Sequence, residues 1–132
     1  MRNKIAICFY GQPRFYNTDS YKSIKSTFLD NYDADIFIHT WQSSTYSCSP
    51  WSGLGDSIEL PNNAVNDIIS LYNPKKILVE DPTEMDFSKY NIPPSGYQKN
   101  DYLAVNMPFM FYSIYKSHCL LKEYVEQTNT QY

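Results

Sequence analysis

The stretch Lys4-Ile-Ala-Ile-Cys-Phe-Tyr10, broken by Gly11-Gln12-Pro13-Arg14, decides the fold. Continuous apolar runs of this length mark strands buried on both faces of a parallel sheet. Where such a strand ends in a glycine turn, backbone N–H groups are carried to the carboxyl edge, where open α/β sheets bind ligands. Arg14 adds a permanently charged fork suited to bidentate contact with a diphosphate; the blander reading pairs it with Asp33 or another surface carboxylate.

Working outward, Thr18-Asp19-Ser20 offers helix caps, and Tyr21, Ile24 and Phe28 share one helical face, so a helix is expected from about Asp19 to Leu29. After a turn at Asp30 to Ala34, Asp35-Ile-Phe-Ile-His-Thr40 reads as a second strand, parallel to the first because a helix joins them. Asn62 or Asn63 caps a helix through Leu71, stopped by Asn73-Pro74, and Lys76 to Glu80 is a third strand. The order is βαβαβ. The Ser-rich stretch Gln42 to Ser57, with Tyr46 and Trp51, reads as a long loop over the carboxyl edge. Thr83 to Asn106 reads as irregular apart from a turn or two. A last helix is expected with Asn106 as its cap, Pro108 in its first turn, and Met110, Ile114, Leu121 and Val125 on its buried side. This predicts one α/β domain over residues 1–132, of Rossmann-like three-layer α/β/α type with a mostly parallel sheet.

Composition narrows the functions. A net charge of -3 excludes a broad nucleic-acid footprint. Cys8, Cys48 and Cys119 form no CxxC pair, which argues against a disulfide framework and a structural zinc and fits a reducing cytosol. The apolar run Ile5 to Tyr10 is too short for a signal segment or a membrane span, so a soluble, cytoplasmic protein is expected. There is no GxGxxG, Walker A or GxSxG sequence, and simple dinucleotide, P-loop and hydrolase readings fail.

Three parallel strands would gather Gly11, Gln12, Arg14, His39, Thr40, Trp41, Glu80 and Asp81 along one edge. His39 is a candidate base or substrate-orienting donor, or else a satisfied structural group, and Asp81 a candidate catalytic carboxylate. Gly11, Gln12, Arg14, Thr40 and Trp41 are candidate donor-binding residues, joined by Lys116 on the last helix; the alternatives are core packing for Trp41 and a solvated helix face for Lys116. Asp33-Ala34-Asp35 looks like a metal-binding DxD but precedes its strand, at the wrong end of the sheet. Glu80-Asp81 is better placed for Mg²⁺ or Mn²⁺, yet no metal ligand set is secure.

Taken together, Ile5-Ala-Ile-Cys-Phe-Tyr-Gly-Gln-Pro-Arg14, Tyr21-Lys-Ser-Ile24, Asp35-Ile-Phe-Ile-His-Thr-Trp41 and Met110-Phe-Tyr-Ser-Ile-Tyr-Lys116 resemble a family of glycosyltransferase-like proteins. Its members are encoded in bacterial surface-polysaccharide gene clusters and by large DNA viruses and phages. The resemblance spans nearly the whole chain and implies a GT-A-type nucleotide-diphospho-sugar transferase arrangement, with the Gly11 to Arg14 turn beside the donor's nucleotide or diphosphate. It further implies a nucleotide-sugar donor, with Mg²⁺ or Mn²⁺, a glycan acceptor, and hexosyl-type transfer in polysaccharide biosynthesis. Similar proteins continue past the long helix into a strand with an Arg-x-Arg-x-Asp-like segment. That leaves two expectations for a chain ending at Tyr132: the N-terminal, nucleotide-binding part of a longer domain, or a short relative that binds without turnover. The alternative from another class is a noncatalytic interaction module that pairs through an open sheet edge, with its own copy or with a missing C-terminal half.

Overall fold

The computed structural model describes residues 2–13, 16–42, 61–86 and 102–132. Three strands, β1 (Lys4–Gly11), β2 (Asp33–Trp41) and β3 (Lys76–Glu80), form a parallel sheet in the order β1-β2-β3. The register sets Gly11 beside Thr40 and Trp41 beside Glu80, so all three strands end at one edge. The protein is a mixed α/β fold.

Helix α1 (Asp19–Ile24) starts where Thr18 caps it through the Ser20 N–H, and runs into a π-helical turn over Lys25–Leu29. The two together cover the expected Asp19 to Leu29 helix. Helix α2 (Ala64–Tyr72) follows Asn63, whose amide reaches the Asp67 carboxylate rather than capping the helix. It ends at Asn73, in the left-handed region at φ 45°, before Pro74. The longest helix, α3, runs Tyr102–Thr128.

Side chains alternate across β2, and the two sets meet different helices. Ile36 and Ile38 join Tyr16, Ala64, Ile68 and Tyr72 in the main hydrophobic cluster, flanked by Ile7, Phe9, Tyr21 and Ile24. Asp35, Phe37, His39 and Trp41 point the other way, to α3 and the chain end: Phe37 packs edge-on to Tyr124, and Trp41 to Phe109. Of the cysteines, Cys8 and Cys119 are free thiols, and burial pushes the Cys8 thiol pKa up. No helix among the described residues is long and apolar enough to cross a membrane.

Several boundaries correct the sequence reading. β2 begins at Asp33, since Asp33 and Ala34 pair with Lys4 and Ile5 instead of forming a turn. Helix α3 begins at Tyr102, not after Asn106: Leu103 and Ala104 are strong helix formers, and the helix accepts Pro108 within its length. Pro108 has no N–H to offer the carbonyl four residues back, one bond fewer in the ladder. The 3-10 turn Pro82–Glu84 is one of the turns expected at the start of the irregular stretch, and residues 87–101 of that stretch lie outside the described residues. Among the described side chains of α3 the most buried are Ser113 and Ser117, at 0% and 1% exposure, whereas Met110, Ile114, Leu121 and Val125 are half-buried. Small side chains let the helix backbone approach closely.

Among the described residues, β1 is paired on one side only. The Asn3 carbonyl accepts from the Asp33 N–H at 3.0 Å, which turns the main-chain groups of Ile5, Ile7 and Phe9 toward β2. Those of Lys4, Ala6, Cys8 and Tyr10 face away from it, where no strand lies among the described residues. Arg14, Tyr46, Trp51 and the Gln42 to Ser57 loop beyond Gln42 lie outside the described residues.

Candidate functional site at the carboxyl edge of the sheet

On the α1/α2 side of the edge lies a cleft of about 210 Å³ whose rim includes Gly11, Gln12, Pro13, Tyr16, Ser20 and Thr40. Its floor is apolar, built from Phe9, Ile38, Ile68 and Tyr72. None of the described residues around it carries a full charge. The volume falls below the ~300–1,000 Å³ of a typical small-molecule pocket, so the described residues furnish part of a site. Tyr16 is fixed in the wall by a 3.0 Å bond from its hydroxyl to Asp67, and its carbonyl accepts from the Tyr72 hydroxyl at 3.3 Å.

Gly11 sits at φ 92°, a conformation that glycine adopts without strain. Both its main-chain groups are held by protein. Its N–H donates to Ser113 Oγ at 2.7 Å, and its carbonyl accepts from Thr40 Oγ1 at 2.9 Å. The Gly11 N–H, expected to face a ligand, is therefore engaged by α3.

On the α3 side a polar network crosses the three strand ends. His39 Nδ1 lies 2.6 Å from Ser113 Oγ, His39 Nε2 lies 2.7 Å from Glu80 Oε2, and the Tyr112 hydroxyl donates to Glu80 Oε1 at 3.2 Å. His39 and Ser113 are fully buried, while the Glu80 side chain keeps 21% of its surface exposed. Burial lowers the His39 pKa, and the bond and charge of Glu80 pull against that without reversing it, which favours the neutral ring.

Of the sequence-derived candidates, Gly11, Gln12, His39 and Thr40 line the cleft, His39 with a fully buried ring bonded to Ser113 on α3. Trp41 is on the α3 side, 4% exposed, packed against His39, Phe109 and Tyr112. Lys116 places its ammonium 5.3 Å from the Tyr112 ring centroid. Burial works to lower the Lys116 pKa, but Tyr112 and Glu80 outweigh it and the net shift is upward. Asp81 follows β3, and its carbonyl accepts from the Glu84 N–H at 3.1 Å, opening the 3-10 turn. Arg14 lies outside the described residues. Sequence reasoning missed Tyr16, Tyr112 and Ser113; the Ser-x-x-x-Ser spacing of Ser113 and Ser117 was the available sign of a close-packed helix face.

Asp33 and Asp35 lie at the opposite end of the sheet. Asp35 is 2% exposed and held by Lys4 Nζ at 3.0 Å, Lys75 Nζ at 3.5 Å and the Tyr132 hydroxyl at 2.8 Å. That pair is a structural anchor. No three His, Cys, Asp or Glu side chains converge among the described residues, and those residues do not make a cation site.

Comparison with protein-family models, with curated proteins and with solved structures finds no match to this chain.

Proposed function

We propose that this chain is the nucleotide-sugar-binding part of a glycosyltransferase-like enzyme, a Rossmann-like three-layer domain of the GT-A type. The observation that carries the reading is the cleft at the carboxyl edge of a parallel sheet, rimmed by the Gly11-Gln12-Pro13 turn and Thr40. Its apolar floor suits a base or the face of a sugar, and it lacks a cation of its own among the described residues. Arg14, next in sequence after Pro13, supplies the charge for a diphosphate. Asp81 is the carboxylate of this reading, and a glycan hydroxyl the acceptor. Mg²⁺ or Mn²⁺ would neutralise a leaving diphosphate, but the described residues offer it no ligand set and no step is assigned to it.

Thermal unfolding against UDP, GDP, CDP and dTDP sugars, with and without Mn²⁺, tests the reading. A ligand at a hundred times its Kd stabilises by about 2.7 kcal/mol, a rise of roughly 10 °C for a domain of this size. One nucleotide should raise the midpoint selectively, and Arg14→Ala should weaken its binding by about tenfold or more. A flat response across the panel sinks the reading.

A second reading is favoured by the side of β1 that is left unpaired among the described residues: an interaction module that pairs through that strand. Ile5, Ile7, Phe9, Ile24 and Phe28 line a shallow apolar groove of about 310 Å³ beside it, and Phe28 is 43% exposed. Light scattering behind size exclusion should then show mass rising with concentration. A concentration-independent monomer counts against self-pairing.

A further inference from the structure

We propose that Ser113 and His39 are positioning residues joined in one hydrogen-bond chain of fixed direction from the Gly11 turn to Glu80, and that Glu80 is the group this edge presents to a ligand hydroxyl. The ligand clause rests on the donor-binding reading above and requires a ligand that extends from the cleft across the strand ends to the α3 side, since Glu80 does not line the cleft; the chain itself does not rest on it.

Proton accounting fixes the direction. An ionised carboxylate only accepts, so His39 Nε2 must carry the proton that binds Glu80 Oε2. With the ring neutral, Nδ1 is an acceptor, and the one proton of the Ser113 hydroxyl goes to it across 2.6 Å. The Ser113 oxygen then accepts the Gly11 N–H at 2.7 Å. Four segments far apart in sequence thus form one line: Gly11 N–H to Ser113 O–H to His39 to Glu80. A doubly protonated ring would reverse the middle link, leaving the Ser113 hydroxyl only the His39 carbonyl, 3.5 Å away. The geometry matches the neutral ring.

Burial assigns the roles. Ser113 and His39 are fully buried and committed on both sides, so Ser113 is no nucleophile despite its histidine and carboxylate, and His39 acts through Glu80. Glu80 is the one of these three side chains that solvent reaches. Its oxygens each take one bond, from His39 and from Tyr112, and a carboxylate oxygen has capacity for a second. A hydroxyl-bearing ligand is the chemistry that matches a held, half-filled acceptor.

Nitrogen-15 NMR of the His39 ring in the intact chain is the deciding measurement. The neutral Nε2–H tautomer is expected at pH 7; an Nδ1–H tautomer overturns the proposal. Ser113→Ala should shift the Gly11 amide, the His39 ring and the Glu80 carboxyl carbon together, and Ser113→Thr, which keeps Oγ, should bring them back. A change confined to Gly11 means the chain is not one unit and overturns it equally. If Ser113→Ala fails to fold, the wild-type tautomer and Ser113→Thr still decide. For the ligand clause, Glu80→Gln should weaken the best-binding nucleotide sugar about tenfold, and unchanged affinity removes Glu80 from the site. Should the wild type bind none of the panel, the donor reading fails and the ligand clause with it, while the tautomer still settles the positioning roles.

Discussion

Replacing Tyr132 with Phe removes one oxygen and tests the anchor at the amino end of the sheet. The Tyr132 hydroxyl donates to Asp35 Oδ2 at 2.8 Å; Asp35 is 2% exposed and Tyr132 43%, so solvent screens the bond in part. The phenylalanine ring keeps its edge-on approach to Phe37, centroids 6.5 Å apart, which isolates the hydrogen bond from the packing. Bonds to charged groups contribute about 1.5–3 kcal/mol, and with the tyrosine partly exposed and Lys4 and Lys75 still holding the carboxylate, a loss of about 1–1.5 kcal/mol is expected at pH 7. Urea unfolding of both chains across pH measures it. The sign with pH follows from Asp35: burial alone would raise its pKa, but Tyr132 and Lys4 more than offset this and hold it below the usual value. A carboxylate depressed in the native state contributes stability that is complete above its unfolded pKa, near 4, and is lost as pH falls through the folded value. Without the tyrosine hydroxyl the folded pKa rises, so the two chains differ fully at pH 7 and converge at the acid end. A difference under about 0.5 kcal/mol at pH 7, or one that persists unchanged at pH 2, refutes the reasoning.

Three further perturbations probe the other edge. Gly11→Ala meets no atom within 4 Å of the new Cβ, so its cost is the backbone at φ 92°, about 1–2 kcal/mol in urea unfolding; an equally stable variant would mean the turn tolerates a side chain. Thr40→Val deletes the donor to the Gly11 carbonyl at a site 1% exposed, with an expected loss of about 1–2 kcal/mol that Thr40→Ser largely restores; equal losses in both would assign the effect to packing. His39 is held neutral by burial, so stability should be full above pH 6.5 and fall with acid between that value and the lower folded pKa. Glu80→Gln should push the His39 pKa lower still, read from the ring resonances, and a rise would contradict the assigned balance.

How much of this was legible depended on how local the cause was. Ile5 to Tyr10 and Ile36 to Thr40 are strands by their own composition, and the intervening helices made them parallel. That β2 would be central is a property of three strands together, and no residue within one strand encodes it. The start of α3 was misread because Pro108 is a strong local signal for a first turn, and the helix formers ahead of it prevailed. His39 was recognisable as a strand-end histidine. Its partners were not: Glu80 lies 41 residues away and Ser113 lies 74, on a helix whose rotation against the sheet sets which side chain meets the ring. Trp41 could be placed at the edge but not on a face until the register assigned it to the α3 side.

The alternation that hid those partners also explains why the edge is built as it is. His39 and Thr40 are consecutive on the central strand, so they leave it on opposite faces. Each reaches toward the same glycine on β1, Thr40 directly to its carbonyl and His39 through Ser113 to its N–H. Gly11 is clamped from both faces of the sheet, once by its neighbouring strand and once by α3. A turn held this way does not offer its own amide to a phosphate, and what it offers instead is a fixed starting point for the chain that follows. On the donor-binding proposal, the Gly11 amide is therefore not the diphosphate's donor, and Arg14, three positions on, is the first cation the sequence supplies after the clamp.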